Sequence, residues 1–129
     1  MTRRRPPKPT DAELAILSVL WERGPSTVRE IWEELKGHRS TGYTTVLKFL
    51  QIMMEKRLVT RDETKFAHIY EARLSREKTQ RQLLRDMVDK AFGGSNAELM
   101  AQALMAGKTS PDELKEIRKL LSKLERGSK

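Results

Sequence analysis

The sequence predicts a mainly α chain in which one two-stranded hairpin separates three N-terminal helices from three C-terminal ones. Three observations predict it. Four segments, beginning at Thr10, Thr27, Ser95 and Ser110, place a Ser or Thr three residues before a Glu, the pattern in which the two side chains cap a helix N-terminus reciprocally. Apolar residues recur at spacings of 3 and 4 after each box, the helical period. Between residues 58 and 71 the period falls to two, as in strands. Only 5% of residues are aromatic and 34% are charged, which suits a well-solvated helical protein better than a β-sandwich.

The first helix opens at Thr10-Asp-Ala-Glu13. It carries Leu14, Leu17, Leu20 and Trp21 on one stripe, with Ala15 and Ile16 beside it, and ends at Gly24-Pro25. Thr27-Val-Arg-Glu30 opens a shorter helix with Val28, Ile31, Trp32 and Leu35 facing inward, stopped near Gly37. Residues 38–42 form a turn, and a third helix begins at Thr41. Residues 58–61 and 66–71 then alternate like strands around a polar loop at 62–65. Phe66, His68 and Tyr70 share one face of the second strand, where His68 and Tyr70 are expected to pack. A lone hairpin is marginally stable, so it must lie against the helices. Helices and hairpin together make a winged helix-turn-helix over residues 10–73, preceded by a disordered basic arm at 1–9 that contains Arg3, Arg4 and Arg5.

Residues 74–129 read as helices alone. The first of them starts near Ser75, runs to about Phe92 with Leu83, Leu84, Met87 and Val88, and stops at Gly93-Gly94. The Ser95 box opens a helix to about Met105. The Ser110 box, with Pro111 at the first helical position, opens a last helix bearing Leu114, Ile117, Leu121 and Leu124.

The chain has 129 residues, enough for one compact domain or two small ones. Its formal charge of +8 and absence of cysteine point to an anionic partner and exclude disulfides, thiolate nucleophiles and thiolate metal sites. His38 and His68 are the only histidines, and no acids cluster around them, so neither metal nor cofactor is expected. No Gly-rich phosphate loop and no nucleophile–base pair is evident, which argues against an enzyme. No apolar run reaches membrane-spanning length. The basic N-terminus lacks the apolar segment of a secretory signal. The expected location is cytoplasmic.

The third helix carries the functional signal. At about 100° per residue, Val46, Leu47, Leu50, Met53 and Met54 gather on one side. Thr41, Thr44, Thr45 and Lys48 lie on the other, with Gly42 at its start. Hydroxyls reach phosphates or base edges, and Lys pairs with phosphate or guanine. Charge qualifies this picture. Residues 1–72 hold 13 basic and 10 acidic side chains, a balance of +3, whereas residues 73–129 hold 13 and 8, a balance of +5. Glu30, Glu33 and Glu34 cluster on the second helix. Between Lys36 and Lys65 there are seven basic and three acidic residues, or +4, so the local field favours DNA.

The C-terminal helices read as a dimerisation region. Leu114, Ile117, Leu121 and Leu124 step by 3, 4 and 3, as in a heptad seam. Three short helices rarely bury a sufficient core alone, and a second copy would supply it. The residues expected at that contact are Leu83, Met87, Leu99, Leu104, Leu114, Ile117, Leu121 and Leu124. The alternative is a helical cap folded on its own winged helix.

Leu14-Ala-Ile-Leu17 with Trp21, Tyr43-Thr-Thr-Val-Leu47 through Lys56 and Leu58-Val59, Ala67-His-Ile-Tyr70, Phe92-Gly-Gly94 and Asp112-Glu-Leu114 occur in an order and spacing that resemble the bacterial penicillinase-repressor family (the BlaI/MecI type). The resemblance covers about Thr10 to Leu124. It implies a homodimeric repressor of transcription on a palindromic operator in double-stranded DNA, including genes for β-lactamase or related functions. By this likeness the third helix reads the major groove, and the wing touches phosphate around Arg61 and Lys65. It further implies release through a membrane-bound sensor metallopeptidase that leads to cleavage in the dimerisation region. The matching place is near Gln102-Ala103, where well-known members carry Asn-Phe, so this chain departs from the family there. It also lacks the C-terminal cysteines of copper-responsive relatives. Arg57 follows Lys56 where the family usually has Gly.

Two other readings compete. A ligand-responsive regulator would hold a small molecule in a pocket lined by Met87, Met100 and Met105, residues that core packing explains better. A winged helix can also serve as a protein-interaction module, against which the acid-free face of Thr41, Thr44, Thr45 and Lys48 argues.

Overall fold

The computed structural model describes residues 8–37 and 40–127. Arg3, Arg4 and Arg5 of the arm, and His38 in the turn before the third helix, lie outside these. The element order is α1 (Asp11–Arg23), α2 (Val28–Lys36), α3 (Tyr43–Glu55), β1 (Val59–Asp62), β2 (Ile69–Ala72), α4 (Arg76–Ala91), α5 (Asn96–Ala106) and α6 (Pro111–Gly127). The fold is mainly α, an N-terminal winged helix-turn-helix followed by three helices. No described helix is long and apolar enough to cross a membrane.

The helix starts follow from their caps. The Thr10 and Thr27 hydroxyls accept from the amides of Glu13 and Glu30, and both Glu side chains accept from the cap amides in return. Ser110 and Glu113 make the same exchange, at 3.1 Å each way between backbone and side chain. The Ser95 hydroxyl accepts from Glu98 N. Gly24, at φ 89°, ends α1 and donates its amide to Leu20. In α3 the end is a Schellman turn. The amides of Arg57 and Leu58 donate to the carbonyls of Met54 and Met53. Arg57 adopts φ 64°, so an Arg occupies the left-handed position that ordinarily favours glycine.

The chain divides into two compact units, one through Leu83 and one from Leu84, with the division inside α4. In the first unit α1, α2 and α3 pack on one another, α1 touches β2 and α3 touches β1. Their core holds Ile16, Leu17, Leu20, Ile31, Leu35, Val46, Leu50 and Met53, closed by Leu58, Val59 and Tyr70. The apolar stripes expected of the three helices thus meet at one centre. Trp21 Nε1 donates to Leu74 O at 3.0 Å, and Arg76 pairs with Glu22 at 2.8 Å, which ties the start of α4 to α1.

The wing is shorter than its sequence pattern. β1 and β2 pair antiparallel from Val59↔Ala72 to Asp62↔Ile69, and β2 begins at Ile69 rather than at residue 66. The reason lies at Asp62. Its Oδ1 accepts from Thr64 N at 2.9 Å and Thr64 Oγ1 at 2.7 Å, a local turn that competes with the ladder. Phe66 and His68 are therefore exposed loop residues, not members of a packed strand face. Tyr70 does pack, at 1% exposure. Its backbone exchanges hydrogen bonds with Ser26 (2.7 and 2.9 Å), so the α1–α2 turn adds a bridge to the edge of β2. That bridge and the burial of Tyr70 anchor a hairpin that is too short to stand alone.

The second unit is poorly buried in one chain. Among its described residues Val88 is the one buried hydrophobic, while α5 and α6 contribute none. Met87, Met100 and Met105 are exposed rather than packed in a core of one chain.

Candidate nucleic-acid interface

The third helix presents its polar face as the period requires. Val46, Leu50 and Met53 are fully buried, while Thr44, Thr45 and Lys48 are exposed. Thr41 is a departure. The helix starts at Tyr43 with Gly42 as an extended N-cap (φ −77°, ψ 160°), so Thr41 precedes it and does not share the helical face. Its half-buried backbone is pinned instead. Trp32 Nε1 donates to Thr41 O at 2.9 Å, and the Trp32 and Tyr43 rings meet edge to face at 6.2 Å. Gly42 is exposed, and a Cβ there would meet nothing within 4 Å, so the chain's own packing does not require glycine.

Two residues of this face escaped the sequence reading. Gln51 is exposed, one turn beyond Lys48 and two beyond Thr44, and its amide has the donor–acceptor pair that reads adenine. The i+3, i+7 spacing was signal enough to find it. Glu55 is also exposed, at the C-terminal end of α3. The acid-free character of the face therefore holds for its first two turns, the part from which recognition helices reach bases.

The acids of α2 are held by cations. Arg23 pairs with Glu30 at 3.1 Å and Glu34 at 3.3 Å, while Lys36 pairs with Glu33 at 2.8 Å and lies 4.6 Å from the Trp32 ring centroid. The Thr27 amide, with help from Arg23, lowers the Glu30 pKa below the ordinary carboxylate range, and Lys36 does the same for Glu33. The acid cluster of α2 is thus largely compensated, which the linear charge count hides.

On the wing, Arg61 is half-buried and its Nε donates to Glu63 at 2.7 Å. Hydrogen bonding to Tyr70 and then to Glu63 raises its already high pKa. Arg61 is thus engaged within the wing, whereas Lys65 stands exposed at its tip. Behind α3, Glu13 is 2% exposed in its side chain and accepts from Lys56 Nζ at 2.7 Å. Lys56 is the C-cap of α3, so this ion pair clamps the end of α3 to the first turn of α1. The capping box disclosed Glu13 in the sequence, but its distant partner was invisible there.

The residues expected at a dimer contact separate by exposure. Leu83, Leu99 and Ile117 are half-buried, whereas Met87 (53%), Leu104 (36%), Leu114 (37%), Leu121 (52%) and Leu124 (60%) are exposed. Gln102 and Ala103 are exposed in the body of α5.

Comparison with known proteins fits this geometry. A solution structure of the Bacillus licheniformis BlaI monomeric form in complex with the blaP half-operator superposes with a TM-score of 0.51, at 19% identity over 58% of this chain and 92% of that one. The solution structure of the DNA-binding domain of the repressor BlaI gives the same TM-score over 57% and 90%. The transcriptional regulator BlaI of Mycobacterium tuberculosis is 32% identical over 118 residues, covering 91% of this chain and 85% of that protein. The model of the penicillinase repressor family matches residues 9–123, and the chain belongs to that family of transcriptional regulators.

Proposed function

We propose that this chain represses transcription as a homodimer bound to a palindromic operator in double-stranded DNA. The observation that carries the reading is α3, with Val46, Leu50 and Met53 fully buried beneath an outward face of Thr44, Thr45, Lys48 and Gln51. Small hydroxyls, an amide and a cation are the groups that read base edges and phosphates in a major groove. Pairing of the α2 acids with Arg23 and Lys36 reduces their repulsion of a duplex. Gly42 and Lys65 are exposed and are the further positions offered for contact with the duplex backbone. Arg61 braces the wing through Glu63 and is the other wing cation offered to phosphate.

The dimer rests on α6. Its exposed leucines form an apolar face of the kind soluble monomers seldom leave uncovered, and a second copy is the occupant whose heptad spacing matches. Residues 10–73 then serve as the reading head and 74–129 as the pairing region. B. licheniformis BlaI as a monomer engages a half-operator, which fits one winged helix per half-site. Release follows by loss of the dimer, since separated half-site contacts bind far more weakly than linked ones. Cleavage at the exposed Gln102–Ala103 bond, downstream of a membrane-bound sensor peptidase, would sever α6 and produce that loss.

The test is binding of fluorescent duplexes by Lys48→Ala and Thr44→Ala. If Lys48 pairs with a base, its truncation weakens binding by roughly 1–3 kcal/mol and relaxes specificity at one position. Unchanged affinity in both variants would remove α3 from the interface.

A further inference from the structure

We infer that the wing tip is an apolar wedge for the minor groove of duplex DNA, with Phe66 as the inserted side chain; this rests on the DNA-binding reading above. Phe66 is 108% exposed, although phenylalanine is normally among the most buried residues. An isolated exposed ring would need no explanation, but the surroundings of this one are specific. Both acids of the turn before it, Asp62 and Glu63, are engaged. Arg61 holds Glu63, and Thr64 holds Asp62 through its amide and hydroxyl, which keeps the Asp62 carboxyl below its ordinary range. The same bonds fix the turn. Beyond it, Lys65, Phe66, Ala67 and His68 are all exposed, with no acid among them.

A cation beside an unpartnered ring on a braced loop is suited to the minor groove. Its negative potential attracts Lys and His, and apolar side chains inserted between base steps unstack and bend the duplex. The tip is also in the right place. Phe66 and His68 line one groove together with Tyr43 and Leu47 from the first turns of α3. A duplex with its major groove on α3 would therefore bring the adjoining minor groove to the wing. Phe66 packs on nothing that a substitution would disturb, so its variants should fold as the parent does.

The experiment uses the full chain with duplexes that carry 2-aminopurine at successive steps beside a half-site selected by this chain from a random duplex pool. The parent should raise the fluorescence at one step, and Phe66→Leu should retain most of that signal. Phe66→Ala should abolish it and weaken binding roughly tenfold, with the salt dependence unchanged because no phosphate contact is lost. The wedge is overturned if Phe66→Ala binds as tightly as the parent, or if only Lys65→Ala weakens binding. A parent chain that binds no duplex overturns the DNA-binding reading itself. Capture of a protein through Phe66 with no fluorescence change on DNA would move the tip to a different partner and also refute the wedge.

Discussion

Removing Lys56 should destabilise the winged helix far more than removing the charge of Glu13, although the two form one ion pair. Glu13 is 2% exposed and Lys56 25% in their side chains. In Glu13→Gln the side-chain oxygen still accepts from Thr10 N, a bond of 2.9 Å in the parent, and Lys56 can swing to water. The loss is that of one charged hydrogen bond, about 1–2 kcal/mol. In Lys56→Met the carboxylate stays buried with the Thr10 amide and hydroxyl as its remaining partners. An uncompensated buried charge costs about 3–5 kcal/mol. Acidity separates the cases. In the parent, burial works against the Glu13 charge, but Lys56 and the Thr10 amide outweigh it, and the pKa is lowered. Its contribution is then complete above the ordinary Glu value of about 4.3 and is lost as pH falls toward the lower folded value. In Lys56→Met burial has no cation to oppose it, so the carboxyl takes up a proton more readily. The penalty should shrink as pH falls. Urea unfolding followed by tryptophan fluorescence reads this directly, because Trp21 and Trp32 both belong to the first unit. Equal losses for the two variants at neutral pH, or a penalty for Lys56→Met that does not change with pH, would refute the reasoning.

Three further outcomes are expected. Arg57→Gly should raise the urea midpoint without changing the slope, by about 0.5–1 kcal/mol, since relief of the left-handed φ exceeds the added chain entropy; a lower midpoint would mean that the Arg57 side chain contributes more than its backbone costs. Leu121→Asp should give folded monomers by sedimentation, because Leu121 is 52% exposed in one chain and its loss leaves the intrachain core intact; a persistent dimer would place the interface elsewhere. Arg23→Ala should weaken DNA binding several-fold at low salt and less at high salt, by freeing Glu30 and Glu34; the same loss at every salt concentration would mean that Arg23 acts by holding the fold and not through charge.

What the sequence discloses here is what local chemistry decides. The boxes at Thr10 and Thr27 set the starts of α1 and α2 because cap and partner are three residues apart. The buried stripe of α3 follows from period alone. What it hides depends on distance or competition. The strand period from Phe66 to Tyr70 lost to the Asp62–Thr64 turn, so the Phe66 ring, expected on a strand face with His68 and Tyr70, is bare. The Ser26–Tyr70 bridge and the Glu13–Lys56 pair join residues 44 and 43 positions apart, and no periodicity reports such contacts. The helical period puts Thr41 on the reading face only if Gly42 is helical. As an extended cap it turns Thr41 toward Trp32.

Selection of binding sites from a random duplex pool, read at two salt concentrations, tests the central claim most directly. Two reading heads on one dimer predict an inverted repeat with half-sites whole helical turns apart, and a steep loss of affinity with salt. Weak binding to every duplex with no enriched motif would contradict a sequence-specific repressor.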